Sequence, residues 1–184
     1  IWVVLAAAIK LEDGGPVFFT QTRVGKHGRR FRAVKFRSMV DGNHEAVKGH
    51  PDGELITSVG SFMRKCALDE LPQLWNVLRG DMSLVGPRAL PPEESARENG
   101  GRPVKLSRIP GYTFRHQVRP GLTGIAQVRA PRDIPYRHKF RYDCFYVRTR
   151  SFLLDLRLIA RSLWVSFAGK WREVGKSRET TYLD

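Results

Sequence analysis

Two adjacent carboxylates, Asp69 and Glu70, head the stretch LDELPQLWNVLRGDMSLVGPR, Leu68 to Arg88. Pro72 follows closely. It lacks an N–H and has a fixed φ, so a first helical turn tolerates it. Leu71, Leu74, Trp75 and Leu78 recur at helical spacing and predict one apolar helix face. Gly80 supplies a stop. The acidic pair therefore falls at the positive end of a helix, where its ionised form is favoured. The turn Gly86-Pro87-Arg88 then presents an arginine. A carboxylate pair, a guanidinium and a basic protein together suggest work on a phosphate. Glu70 could hold a divalent metal and Asp69 could attack phosphorus. The same spacing also fits a plain helix start, with Asp69 as N-cap and Glu70 as dipole partner.

The composition favours an anionic partner. The chain has 184 residues and a net charge of +14, from 32 Lys plus Arg against 18 Asp plus Glu. Such an excess suits nucleic acid, an anionic membrane face or phosphorylated substrates. A hydrophobic content of 41% is that of a globular domain and excludes a disordered chain. Cys66 and Cys144 have no metal or redox spacing and read as packing residues. The five histidines, His27, His44, His50, His116 and His138, are scattered without ligand spacing.

Several elements must position these groups. Val17 to Val24 and Arg30 to Phe36 read as a hairpin around Gly25-Lys26-His27-Gly28. Asp41 to Pro51 reads as a loop. Ser61 is expected to cap a short helix through Cys66. Pro91-Pro92 is expected to open a polar helix, Glu93 to Asn99, closed by Gly100-Gly101. Tyr136 to Val147 has a helical or mixed pattern. Arg150 to Ala168 is a helix apolar around most of its circumference, followed by Lys170, Trp171 and Arg172. Pattern alone fits a core helix or an interfacial one, and the Trp and basic residues favour a membrane interface. Ile1 to Ile9 is apolar but far short of the roughly 20 residues that span a bilayer. It also lacks the features of a signal peptide.

Three blocks resemble, in order, the signature of the bacterial sugar transferases, the monotopic phosphoglycosyl transferases. They are GPVFFTQTRVGKHGRRFRAVKFRSM (Gly15 to Met39), Arg64-Lys65 with LDELPQLWNVL and GDMSLVGPR, and RPGLTGIAQV (Arg119 to Val128). The resemblance covers nearly the whole chain. It implies transfer of a sugar-1-phosphate from a nucleoside diphosphate sugar, a UDP-sugar, to polyprenol phosphate, starting polysaccharide synthesis. Asp69 would be the nucleophile and Glu70 the ligand of magnesium, Mg2+. Lys35, Arg64, Arg88 and Arg119 would bind substrate phosphates, and Asp143, in RYDCFYV, matches an acidic position of the family and is counted with the substrate and phosphate-binding residues. Cys66-Ala67 stands where the family usually has Thr-Ser.

The fold expected from pattern and resemblance together is α+β. It has a short hairpin, several helices, a monotopic association with the membrane and an interfacial C-terminal helix. Residues 1–12 would be the returning half of a re-entrant membrane helix, and residues 13–184 the catalytic domain. The resemblance places the protein on the cytoplasmic face of the bacterial inner membrane. Its partners there are the nucleotide sugar, polyprenol phosphate and an anionic membrane surface. No nucleic acid is expected, and self-association is left open. Two rival readings exist. A basic nucleic-acid-binding protein would use Arg29 to Arg37, but it leaves the dyad unexplained. A catalytically dead membrane scaffold is opposed by the intact Asp69-Glu70 pair.

Overall fold

The computed structural model describes residues 1–40, 55–97, 102–131 and 134–168. The expected Asp41 to Pro51 loop lies outside them, as do His44, His50, Lys170, Trp171 and Arg172. The fold is a mixed α+β arrangement of short strands and several helices.

The chain starts with helix α1, Trp2–Asp13. A hairpin follows, β1 (Phe18–Val24) and β2 (Arg30–Phe36), paired antiparallel from Phe18↔Phe36 to Val24↔Arg30. The hairpin is the expected one. Helix α2 spans Ser58–Cys66 and α3 spans Gln73–Leu78. Strand β3 (Ser83–Val85) pairs in parallel with β6 (Gly121–Thr123). Between them β4 (Ser95–Arg97) pairs antiparallel with β5 (Pro103–Lys105), and α4 is a single turn, Tyr112–Arg115. Helices α5 (Ile125–Arg129), α6 (Tyr136–Thr149) and α7 (Phe152–Phe167) complete the order.

Two local expectations are corrected. Thr57, not Ser61, caps α2, its Oγ1 accepting from the Gly60 N–H at 2.9 Å. Ser61 instead lies inside the helix. The segment expected as a polar helix from Glu93 contains strand β4 in its described part. Such a helix would have no apolar face to bury. As a strand the segment finds backbone partners in β5 and lays Ala96 on the Leu90, Leu106, Ile109 and Phe140 cluster.

The apolar core is divided. The largest cluster joins Val85, Val118, Ile125, Val128, Tyr142, Tyr146 and Leu158, holding β3, α5, α6 and α7 together. A second joins Leu5, Ile9, Phe36 and Met63, from α1, β2 and α2. A third joins Phe31, Ala33, Met82 and Ala89 beneath the hairpin. The Tyr146 hydroxyl lies 3.0 Å from Asp155 Oδ1 and 3.2 Å from the Val85 carbonyl, fastening α6 to both α7 and β3.

Much apolar surface stays outside this core. Ile1, Val3, Val4 and Leu11 of the first segment are exposed. So are Phe152, Leu153, Leu156, Leu163, Trp164 and Phe167 of α7, which buries only Leu158 and Val165. The predicted apolar face of helix α3 points largely outward. Trp75 is 56% and Leu78 80% exposed, while Gln73 and Asn76 are buried at 5% and 2%. Asn76 faces inward because it has backbone partners there. Asn76 Nδ2 donates to the Arg32 carbonyl at 2.8 Å, and its Oδ1 accepts from the Val34 N–H at 3.2 Å. Asn76 thus ties α3 to the edge of β2. No helix among the described residues is long and apolar enough to cross a membrane.

Candidate active site

The dyad sits on a sharp corner. Helix α2 stops because Ala67 takes a left-handed conformation, φ 57°, with its N–H bonded to the Met63 carbonyl. That conformation costs a residue with a Cβ about 1–2 kcal/mol, and strain of this kind collects at functional sites. Leu68–Glu70 then forms one 3-10 turn. Leu68 and Leu71 pack on the Phe36 and Met63 cluster and so anchor both sides of the carboxylates. The helix expected to start at the dyad begins later, at Gln73.

Side chains, not a helix end, hold Glu70. Its Oε1 accepts from Lys35 Nζ at 2.7 Å and from an Arg88 Nη at 3.2 Å. Burial works against the Glu70 charge, but Arg88 and Lys35 outweigh it and hold the group at about 2. Asp69 behaves differently. Burial pushes its carboxyl above the usual 3.8; Lys35 opposes this, and the neighbouring Glu70 charge adds to it. Two adjacent carboxyls thus have acidities pushed in opposite directions, a pattern found where acids are tuned for separate roles.

Lys35 comes from β2, next to the buried Phe36. Arg88 comes from the GPR turn, which is pressed backbone to backbone against residues 119–123. Gly86 N–H donates to the Thr123 carbonyl at 2.9 Å, and Gly121 N–H to the Pro87 carbonyl at 3.0 Å. A Cβ on Gly86 would stand 2.4 Å from the Arg119 carbonyl oxygen, and one on Gly121 would stand 2.1 Å from the Gly86 nitrogen. Both positions require glycine because the two backbones touch.

The remaining expected residues are placed less uniformly. Arg64 donates to Ser38 Oγ at 2.9 Å, and its charge still reaches Asp69. Arg119 is exposed, with its guanidinium beside Gly80. Asp143 is 4% exposed and accepts from Arg115 Nε at 2.8 Å. It faces no cleft.

Three residues of the site were not singled out from the sequence. Arg23 lines the cleft with Lys35, Glu70 and Arg88, and donates to the Ala89 carbonyl at 3.0 Å. Gln73 lines the same cleft, with its Nε2 buried and lacking a hydrogen-bond partner. Arg115 donates to the Arg88 carbonyl at 2.5 Å. Arg23 lies inside a family block, which was a usable signal. Gln73 lies inside another, LDELPQLWNVL, on the polar side of the helix that its apolar spacing marks.

The arrangement joins an ionised carboxylate, a second carboxylate of raised pKa and two cations in contact with the first. Cations of this kind can gather phosphate oxygens, and Arg does so as a fork. Among the described residues no group of three or more His, Cys, Asp or Glu forms a ready metal cluster. Magnesium does not require one, since it takes one or two carboxylates plus substrate phosphates and water. The dyad fits that donor set.

Comparison with known proteins agrees with this chemistry. Residues 1–169 match the family described as bacterial sugar transferase. The chain is 41% identical over 157 residues to the uncharacterized sugar transferase EpsL of Bacillus subtilis (strain 168), covering 83% of this chain and 71% of that protein. It is 43% identical over 166 residues to the UDP-glucose:undecaprenyl-phosphate glucose-1-phosphate transferase of Caulobacter vibrioides, covering 86% of this chain and 59% of the relative. It is also 41% identical over 170 residues to a UDP-N-acetylgalactosamine-undecaprenyl-phosphate N-acetylgalactosaminephosphotransferase of Aeromonas hydrophila, covering 89% and 38%. The chain thus spans between about two fifths and seven tenths of the length of these relatives. By motif, match and extent of identity, the chain belongs to the bacterial sugar transferase family.

Proposed function

We propose that this protein transfers a sugar-1-phosphate from a UDP-sugar to polyprenol phosphate through a covalent intermediate on Asp69. The observation that carries the reading is the geometry at the dyad. Glu70 is fastened by Lys35 and Arg88, while the carboxyl of Asp69 beside it is raised by burial and by the Glu70 charge and lies within reach of the Lys35, Arg64 and Arg88 charges. The relatives' named activities on UDP-sugars and undecaprenyl phosphate support the substrate class.

In the first step a carboxylate oxygen of Asp69 attacks the phosphorus that bears the sugar. The P–O bond to UMP breaks, and UMP leaves. In the second step an oxygen of polyprenol phosphate attacks the same phosphorus. The bond to Asp69 breaks, yielding polyprenol diphosphate sugar and the free carboxylate. Two steps let one pocket handle two polyanions in turn. Lys35, Arg88 and the nearby Arg23 offset the diphosphate charge, the term expected to dominate such a reaction. Glu70, whose cationic contacts both fall on Oε1, would hold Mg2+ together with the diphosphate. When bound, the metal supplies further neutralisation of phosphate charge.

The acceptor is lipid-linked and the donor is water-soluble, so the site works at a membrane boundary. The exposed apolar side chains of α1, α3 and α7 supply the lipid-facing surface, and the +14 net charge suits an anionic leaflet. We assign it to the cytoplasmic face of a bacterial inner membrane, where nucleotide sugars are available. The assay is UMP release from a panel of UDP-sugars with polyprenol phosphate, with and without magnesium. Magnesium-dependent release that requires Asp69 supports the reading. Absence of release from every UDP-sugar overturns it.

A further inference from the structure

Arg115 carries a charge that cannot reach any substrate, being 2% exposed. Its guanidinium is nevertheless fully engaged. Nε donates to Asp143 Oδ2 at 2.8 Å. Nη2 donates to the Arg88 carbonyl at 2.5 Å. Nη1 lies 3.2 Å from His116 Nε2. The direction of that last contact follows from the other face of the ring. His116 Nδ1 is 2.7 Å from the Tyr112 carbonyl, which can only accept, so Nδ1 carries the proton. Burial and the adjacent Arg115 charge push His116 down to about 4, so the ring is neutral and Nε2 accepts from Arg115. The Phe140 ring closes the remaining side, its centroid 5.0 Å from Arg115 Cζ.

One of the groups this guanidinium touches belongs to the site. The Arg88 carbonyl it holds is on the residue whose side chain reaches Glu70. The next carbonyl, of Ala89, is held by Arg23. We propose that Asp143 and Arg115 are positioning residues for Arg88. Asp143 neutralises and orients Arg115, Arg115 clamps the Arg88 backbone, and the Arg88 guanidinium is thereby aimed at Glu70 and at the diphosphate of the donor. The clamp's effect on turnover rests on the transferase reading above. It reassigns Asp143 from a phosphate-side residue to a support of the arginine that meets phosphate.

A buried ion pair that merely staples α4 to α6 would make a different prediction. Arg115→Lys separates the two, because an ammonium can keep the charge pair with Asp143 but lacks the fork that also reaches the Arg88 carbonyl. The experiment measures kcat and KM for UMP release in the wild type, Arg115→Lys, Arg88→Ala and the double variant, with thermal unfolding of each. It also measures hydrogen exchange of the peptide covering residues 86–90. Expected are an at least tenfold loss of kcat/KM in Arg115→Lys and faster exchange at residues 86–90. In the Arg88→Ala background the same substitution should cost less than twofold, since nothing remains to be aimed. Equal losses in both backgrounds, or unchanged activity and exchange in a folded Arg115→Lys, overturn the clamp. If Arg115→Lys does not fold, His116→Gln, which disturbs one prong only, carries the same comparison. A wild type that releases no UMP overturns the transferase reading instead, and the exchange comparison, which needs no turnover, still decides the clamp.

Discussion

Asp69 and Glu70 share a turn but not an environment, and the difference is testable. Only the ionised form of Asp69 can attack, and its pKa is raised by burial and by Glu70. Activity should therefore fall as pH drops through a value above the ordinary 3.8 of Asp, and the acid limb of kcat/KM should disappear from no variant that keeps Asp69. Glu70, held at about 2, stays charged throughout that range and cannot produce the limb. The linkage signs are opposite. A raised carboxyl weakens the fold at neutral pH, so Asp69→Asn should abolish turnover and raise Tm at pH 7. A lowered carboxyl stabilises it above the unfolded value of 4.5, and this is lost as pH falls toward about 2. Glu70→Gln should consequently lower Tm at pH 7 and shift the magnesium dependence of activity, the stability gap from wild type narrowing between pH 5 and pH 2. An unchanged magnesium response would remove Glu70 from the metal's donors. Arg88→Lys should also be costly, because a point charge replaces a fork at a site that needs one; full activity would place Arg88 outside the phosphate contacts.

At the scale of elements, the hairpin and the long last helix were legible because alternation and periodicity register directly in the sequence. Helix α3 was legible as a helix but not in its orientation. Its apolar spacing predicted one apolar face, and Asn76 and Gln73 on the other side are the buried ones. Spacing says which residues share a face and nothing about which side that face meets. Strand β4 was missed because a three-residue strand owes its existence to a partner, β5, that local pattern does not reveal. The Arg115 to Arg88 contact was invisible for the same reason, joining residues 27 apart in sequence. Two substitutions probe the elements that brace the site. Gly86→Ala drives a Cβ into the Arg119 carbonyl and should cost about 1–3 kcal/mol by overpacking, with loss of activity through displaced Arg88. Tyr146→Phe strips a buried hydroxyl from Asp155 and Val85 and should cost about 1–3 kcal/mol in denaturant unfolding. A neutral result for Tyr146→Phe would show that packing alone holds α6 to α7.

At the scale of the molecule, the divided core and the exposed apolar helices fit a protein completed by a lipid surface. Each basic residue near an anionic leaflet contributes about 1 kcal/mol, screened by salt, while apolar burial persists. Flotation with anionic vesicles should therefore weaken with salt without vanishing, and should be lost in the Leu156→Asp, Trp164→Asp variant, whose positions are exposed enough to leave the fold intact. A protein that stays unbound at low salt would contradict this surface. The central claim, however, is a covalent one. Incubating the protein with a UDP-sugar and magnesium, without lipid acceptor, and weighing the intact chain tests it most directly. The account predicts a gain of one sugar phosphate, mapped to Asp69 and discharged on adding polyprenol phosphate. An adduct on another residue, or UMP release with no adduct and full turnover in Asp69→Asn, would contradict it.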